Sequence, residues 1–164
     1  MNGILAATYN RITRFLIKNG LTVSTMESCT SGTVVSLLTD TEGSSAVVKG
    51  GLVTYCNDAK MQNGVPAEVI ETYGVYSEQT ALAMAKACRA SFGTDLGIGV
   101  TGSYANPDPN NQDSRPGTVC FAISTPKDEC AFTVGITAPT RRECKEKTAF
   151  AIAEKLSALL GIKI

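Results

Sequence analysis

The 164-residue chain contains no histidine and no tryptophan. Without imidazole there can be no Ser-His-Asp or Cys-His catalysis, and the mixed Cys/His zinc sets are excluded as well. Its six cysteines, at positions 29, 56, 88, 120, 130 and 144, form no C-x-x-C pair. They predict reduced, mostly buried thiols rather than a metal ribbon or a disulfide framework. Net charge is lacking too, since 15 Lys+Arg balance 15 Asp+Glu. The basic residues are dispersed apart from a small cluster from Arg141 to Lys147. That pattern lacks the electrostatic footprint of a nucleic-acid binder. Residues 1–20 interrupt their Ile, Leu and Phe with Asn, Arg, Thr and Lys, unlike a signal-peptide core or a membrane span. The expectation is a cytoplasmic protein with no nucleic-acid or membrane partner, acting on a small molecule.

What the chain does have is 43% hydrophobic residues, enough for one packed core, so residues 1–164 are expected to form a single domain. Leu5, Tyr9, Ile12 and Leu16 line one face of a helix over 3–19, which Asn19-Gly20 stops. A short strand from Leu21 to Met26 and a helix from Thr33 to Thr39 follow. The run from Ala46 to Tyr55 reads as a strand whose Gly50-Gly51 pair suits a bulge or a close backbone approach. Asn57 is the expected cap of a short helix containing Lys60. Pro66 opens another helix that ends at Tyr73-Gly74, and Ser77 caps a long one closed by Gly93. Asp95 to Thr101 is a buried strand, and residues 102–116 are a loop long enough to be functional. Thr118 to Ser124 and Ala131 to Thr137 form a hairpin around Pro126-Lys127-Asp128. A helix from Arg141 to Leu160 completes the chain. Helices alternating with strands, plus one hairpin, predict a three-layer α/β/α domain around a mixed, mostly parallel sheet.

Candidate chemistry gathers after three strands. Ser28 stands between a strand and a helix, a favourable position for a nucleophile. With no histidine present, Lys60 is the leading base, provided that its surroundings lower its pKa. Tyr55, at a strand end, could orient that amine or relay a proton. Backbone N–H groups of the Thr30-Ser31-Gly32 turn could stabilise an oxyanion. Cys29 is the rival nucleophile, with a buried structural thiol as the plainer reading. Glu27 reads best as a carboxylate bonding nearby N–H groups, and Arg141 as a ligand-binding cation. Asp108 and Asp113 are the kind of residues that hold a hard cation, yet loop aspartates more often bond their own backbone. No metal is predicted.

The stretch Glu27-Ser28-Cys29-Thr30-Ser31-Gly32 resembles the A-E-S-C-T-G-G opening of the CinA C-terminal domain family. Further blocks resemble the same family in the same order: Glu42-Gly43-Ser44-Ser45, the run Gly50 to Lys60 (G-G-x-V-x-Y-x-N-x-x-K), Gly74 to Glu78, Gly99 to Gly102, and Pro116 to Val119. The family includes nicotinamide mononucleotide deamidases. The resemblance therefore implies a Ser/Lys amidohydrolase acting on a pyridine nucleotide, with Ser28 as nucleophile, Lys60 as base and Tyr55 nearby. It also implies substrate contacts from Thr30, Ser31, Gly32, Gly51, Thr101, Gly102 and Arg141, no cofactor, and a homo-oligomer, with a dimer favoured. Departures cluster where substrate should sit. The family's I-A-G-P-D-G-G becomes Ser103 to Asn111 with Asn and Pro in place of glycines, the first glycine of the opening motif becomes Ser31, and G-D-R becomes Pro139-Thr140-Arg141. The altered loop keeps two alternatives open, a silent paralogue that binds a nucleotide-like ligand or protein partner, and a Ser/Lys amidase of different specificity.

Overall fold

In the computed structural model, which describes residues 2–163, Leu5, Tyr9, Ile12 and Leu16 close one face of helix α1 (Asn2–Asn19) and are buried. The Tyr9 hydroxyl donates to the Ala149 carbonyl at 2.8 Å, tying α1 to helix α6 (Arg141–Leu160). Between them come β1 (Val23–Glu27), α2 (Thr33–Thr39), β2 (Val48–Val53), α3 (Asn57–Gln62), α4 (Ala67–Tyr73), α5 (Glu78–Phe92), β3 (Leu96–Ser103), β4 (Thr118–Ser124) and β5 (Glu129–Gly135).

Among the described residues these strands form one five-stranded sheet in the order β2-β1-β3-β4-β5. The β2-β1 and β1-β3 pairs are parallel, whereas β4 is antiparallel to both neighbours. Four strands thus point one way and β4 alone runs against them. Helices α1, α2 and α6 cover one face, where Val23, Ile98, Val100, Val119, Phe121 and Ile123 join the main core. Helix α5 covers the other, packing Met84 and Cys88 on Met26, and Ala81 and Ala85 on Cys120 and Ala122. The architecture is the expected three-layer α/β/α arrangement.

Close packing of α5 depends on glycine in β3. A Cβ on Gly97 would lie 2.1 Å from the Ala85 carbonyl oxygen, and one on Gly99 would lie 2.1 Å from that of Ala81. Gly50 and Gly51 likewise serve close approach, to the Phe92 ring and to the Thr25 and Val35 side chains. The bulge itself falls one residue earlier, where pairing jumps from Val23↔Val48 to Ser24↔Gly50. β5 begins and ends two residues before the expected range, because the tight Thr125–Asp128 turn sets Ser124 opposite Glu129.

From β1 the chain crosses by α2 to β2 on one side, then returns through α5 on the opposite face to β3 on the other. β1 is therefore the point where the winding reverses. At such a point the flanking connections diverge and leave a crevice beyond the carboxyl end of the strand. Ser28 is the first residue past that end.

Candidate active site

Glu27, fully buried as the last residue of β1, sets the turn that carries Ser28. Its Oε2 accepts from the Gly32 and Val34 N–H groups at 3.0 and 3.1 Å, and its Oε1 from the Val35 N–H at 2.9 Å and the Thr25 hydroxyl at 3.2 Å. The carboxylate thus satisfies donors that α2 leaves unpaired in its first turn. This matches the expectation of a carboxylate that bonds nearby N–H groups. The Ser28 N–H donates to the Val100 carbonyl at 2.9 Å, and the Ser31 N–H donates back to the Ser28 carbonyl at 3.0 Å. The backbone around Ser28 is held on both sides.

Lys60 reaches this turn from α3. Cys56, not Asn57, is the residue before that helix, and its Sγ accepts from the Ala59 N–H at 3.5 Å. The Asn57 side chain instead donates to Asn111 Oδ1 at 2.8 Å. Because the Thr54 N–H bonds the Glu27 carbonyl at 2.9 Å, the end of β2 is drawn against the end of β1. Lys60 Nζ then lies 3.2 Å from Ser28 Oγ and donates to the Thr54 carbonyl at 3.0 Å. Lys60 is 2% exposed and Ser28 7%. Burial pushes the Lys60 pKa down, against smaller upward pulls from Cys56, Cys29 and Asp108. Neutral amine is what a base at this position requires.

The rival nucleophile is placed differently. Cys29 is buried, and desolvation pushes its thiol up to about 11. At neutral pH it is a thiol rather than a thiolate, which removes most of its nucleophilicity.

Ser28, Lys60, Tyr55, Gly102 and Arg141 share the walls of one cavity of about 580 Å³. Tyr55 is 59% exposed there. Its hydroxyl accepts from Arg141 Nη2 at 2.7 Å, and the Arg141 guanidinium lies 5.5 Å from the centre of the Tyr104 ring. Tyr55 therefore positions Arg141, and the Thr54 carbonyl holds the lysine amine, a correction to the role expected of Tyr55. Other expected contacts lie elsewhere. Thr30 is fully buried, while Ser31 and Gly32 border a second depression together with Arg142 and Lys145. Gly51 packs on Thr25 and Val35, and the Thr101 hydroxyl donates to the Val75 carbonyl at 3.0 Å. The Ser31 and Gly32 N–H groups are engaged by Ser28 and Glu27, so they are not oxyanion donors.

Several wall residues carried no strong signal in the sequence. The Tyr76 hydroxyl and the Asn111 amide each donate to Asp108 Oδ2 at 2.6 Å, and the Tyr76 N–H donates to Asp113 Oδ2 at 3.1 Å. Asp108 also accepts from the Asn110 N–H at 2.9 Å, the two-residue Asx pattern expected of a loop aspartate. Together with the Asn57–Asn111 bond, these contacts fasten the 104–116 loop over the cavity.

The sequence profile of the CinA C-terminal domain matches residues 6–160. The chain belongs to the CinA C-terminal domain family. A putative competence-damage inducible protein of Desulforudis audaxviator is 46% identical over 114 residues, 69% of this chain and 27% of that protein. A CinA-like protein of Geotalea daltonii is 38% identical over 135 residues, covering 82% of this chain and 32% of that one. The chain thus spans about a quarter to a third of the length of these relatives. Solved structures match along almost their whole length. The competence/damage inducible protein CihA of Agrobacterium tumefaciens superposes with a TM-score of 0.85 at 35% identity, covering 94% of each chain. A CinA superfamily protein of Klebsiella pneumoniae superposes with a TM-score of 0.87 at 25% identity, covering 96% of this chain and 98% of that one. Among the described residues no helix is long and apolar enough to cross a membrane.

Proposed function

We propose that this CinA-family domain is a Ser/Lys amidohydrolase that converts nicotinamide mononucleotide, or a closely related pyridine carboxamide, to the carboxylate and ammonia. The observation that supports this reading is the 3.2 Å contact between Ser28 Oγ and a Lys60 amine that burial biases towards its neutral form. Ser28 Oγ attacks the carboxamide carbon as Lys60 Nζ takes its proton. The tetrahedral oxyanion collapses by expelling ammonia, with Lys60 returning the proton to the leaving nitrogen. Water then attacks the resulting ester, Lys60 takes the water's proton, and Ser28 regains it as the acid departs. With the Ser31 and Gly32 N–H groups engaged, the oxyanion falls to the remaining backbone N–H groups beside the nucleophile, those of Cys29 and Thr30. Arg141, held between Tyr55 and Tyr104, is suited to the substrate phosphate.

Product analysis tests this reading. Incubation with nicotinamide mononucleotide should yield nicotinate mononucleotide and one equivalent of ammonia, and unchanged substrate with folded protein would contradict it. The pH dependence of kcat/KM, which reports the free enzyme, gives a second check. Since the base works deprotonated, the rate should rise with pH, with a midpoint below the ordinary lysine value of about 10.4. A profile that falls with pH, or stays flat through the neutral and alkaline range, would exclude Lys60 as the base.

A further inference from the structure

Asp108 borders the same cavity as Ser28 and Lys60, yet hydrolysis by those two residues makes no use of it. Hydrogen bonds from Tyr76 first, then Asn111, hold its carboxyl below the ordinary carboxylate range, so it is ionised at neutral pH. It has no cationic partner, since the ion pairs found among the described residues are Lys86–Glu129 and Arg142–Glu146. The basic group it acts on is Lys60, and there it favours the protonated form, the wrong one for the base. An asparagine would accept the Tyr76 hydroxyl and the Asn111 amide without that opposition, giving up only the bond from the Asn110 N–H. The carboxylate is thus held by neutral donors and forms no ion pair, which leaves its charge to be met by a cationic ligand.

We propose that the Asp108 carboxylate, with the Tyr76 ring beside it on the cavity wall, selects carboxamides carried on a positively charged ring, an N-substituted pyridinium in preference to a neutral pyridine or dihydropyridine. The inference rests on the deamidase reading and defines its substrate class. A pyridinium would meet both a carboxylate and an aromatic side chain, each of which favours a cation. Arg141 on the same wall would take an anionic substituent. The cavity thus fits a ligand that is cationic at the ring and anionic at the phosphate, and discriminates against the uncharged ring, which gives the Asp108 charge no ion pair.

Nicotinamide mononucleotide and its reduced form share the carboxamide, ribose and phosphate and differ in ring charge, so they isolate this effect. Their affinities for the Ser28→Ala protein, measured by calorimetry, should differ by about tenfold or more in favour of the cationic ring. Asp108→Asn in that background should abolish the preference. Tyr76→Phe removes the hydrogen bond to Asp108 but leaves the charge, and should preserve it. A preference that is absent with Asp108 intact, or that survives Asp108→Asn, overturns the proposal. So does its loss in Tyr76→Phe as well, which would trace it to loop shape rather than charge. Ammonia release by the wild type is read separately. Asp108-dependent preference without ammonia leaves charge selection standing and removes the deamidase reading, and ammonia without that preference does the reverse.

Discussion

The Lys60→Met variant should release no ammonia above background and yet unfold at a higher temperature than the wild type near pH 7. Both effects follow from one side chain. Lys60 is buried beside Ser28, where charge is poorly solvated, and its pKa is lowered chiefly by that burial. Methionine keeps most of the apolar stem but has no proton acceptor, so turnover should drop by about three orders of magnitude or more. Between the folded and unfolded pKa values the unfolded chain binds the extra proton, so the lysine's contribution to stability is present above the unfolded value. It is lost as pH falls through the folded value. The melting-temperature advantage of the variant should therefore be largest at neutral and acid pH and shrink towards pH of about 10–11, where the wild-type amine is neutral in both states. Thermal unfolding followed by circular dichroism across that range checks the sign. A variant that is less stable at every pH would mean that the amine contributes more through its bond to the Thr54 carbonyl than its desolvation costs.

Glu27→Gln is expected to have the largest effect on stability. The carboxylate accepts three backbone N–H groups and one hydroxyl in a fully buried position. Glutamine keeps the volume but turns one acceptor into an NH₂ group that faces donors. At least one buried N–H then loses its partner, and the charge-assisted character of the remaining bonds is lost. A destabilisation on the order of 3 kcal/mol is expected in urea unfolding. Activity should fall even in the folded fraction, because the same bonds shape the turn that holds Ser28. A loss below about 0.5 kcal/mol would show that these bonds do not fix the turn.

The two catalytic candidates were legible in the sequence because each follows a strand, and the parallel β2-β1-β3 order brings those strand ends to one edge. Helix positions were equally legible, from the spacing of apolar residues and from Asn19-Gly20, Ser77 and Gly93 at helix boundaries. What sequence spacing could not supply was the direction of side chains and backbone groups. Tyr55 stands five residues before Lys60, but the Thr54 carbonyl turns towards the amine while the Tyr55 hydroxyl meets Arg141. Ser31 and Gly32 adjoin the nucleophile in sequence, yet the turn aims their N–H groups back at Ser28 and Glu27. Tyr76 and Asp108 are 32 residues apart and meet through the fold. No local pattern announces such a pair.

Ammonia release from nicotinamide mononucleotide by the wild type, Ser28→Ala and Cys29→Ala, each shown to be folded by circular dichroism, tests the central claim most directly. Turnover by the wild type and by Cys29→Ala, with none from Ser28→Ala, is the predicted result. Wild-type turnover that persists in Ser28→Ala, or that disappears only in Cys29→Ala, would contradict the assignment of Ser28 and Lys60 as the reacting pair.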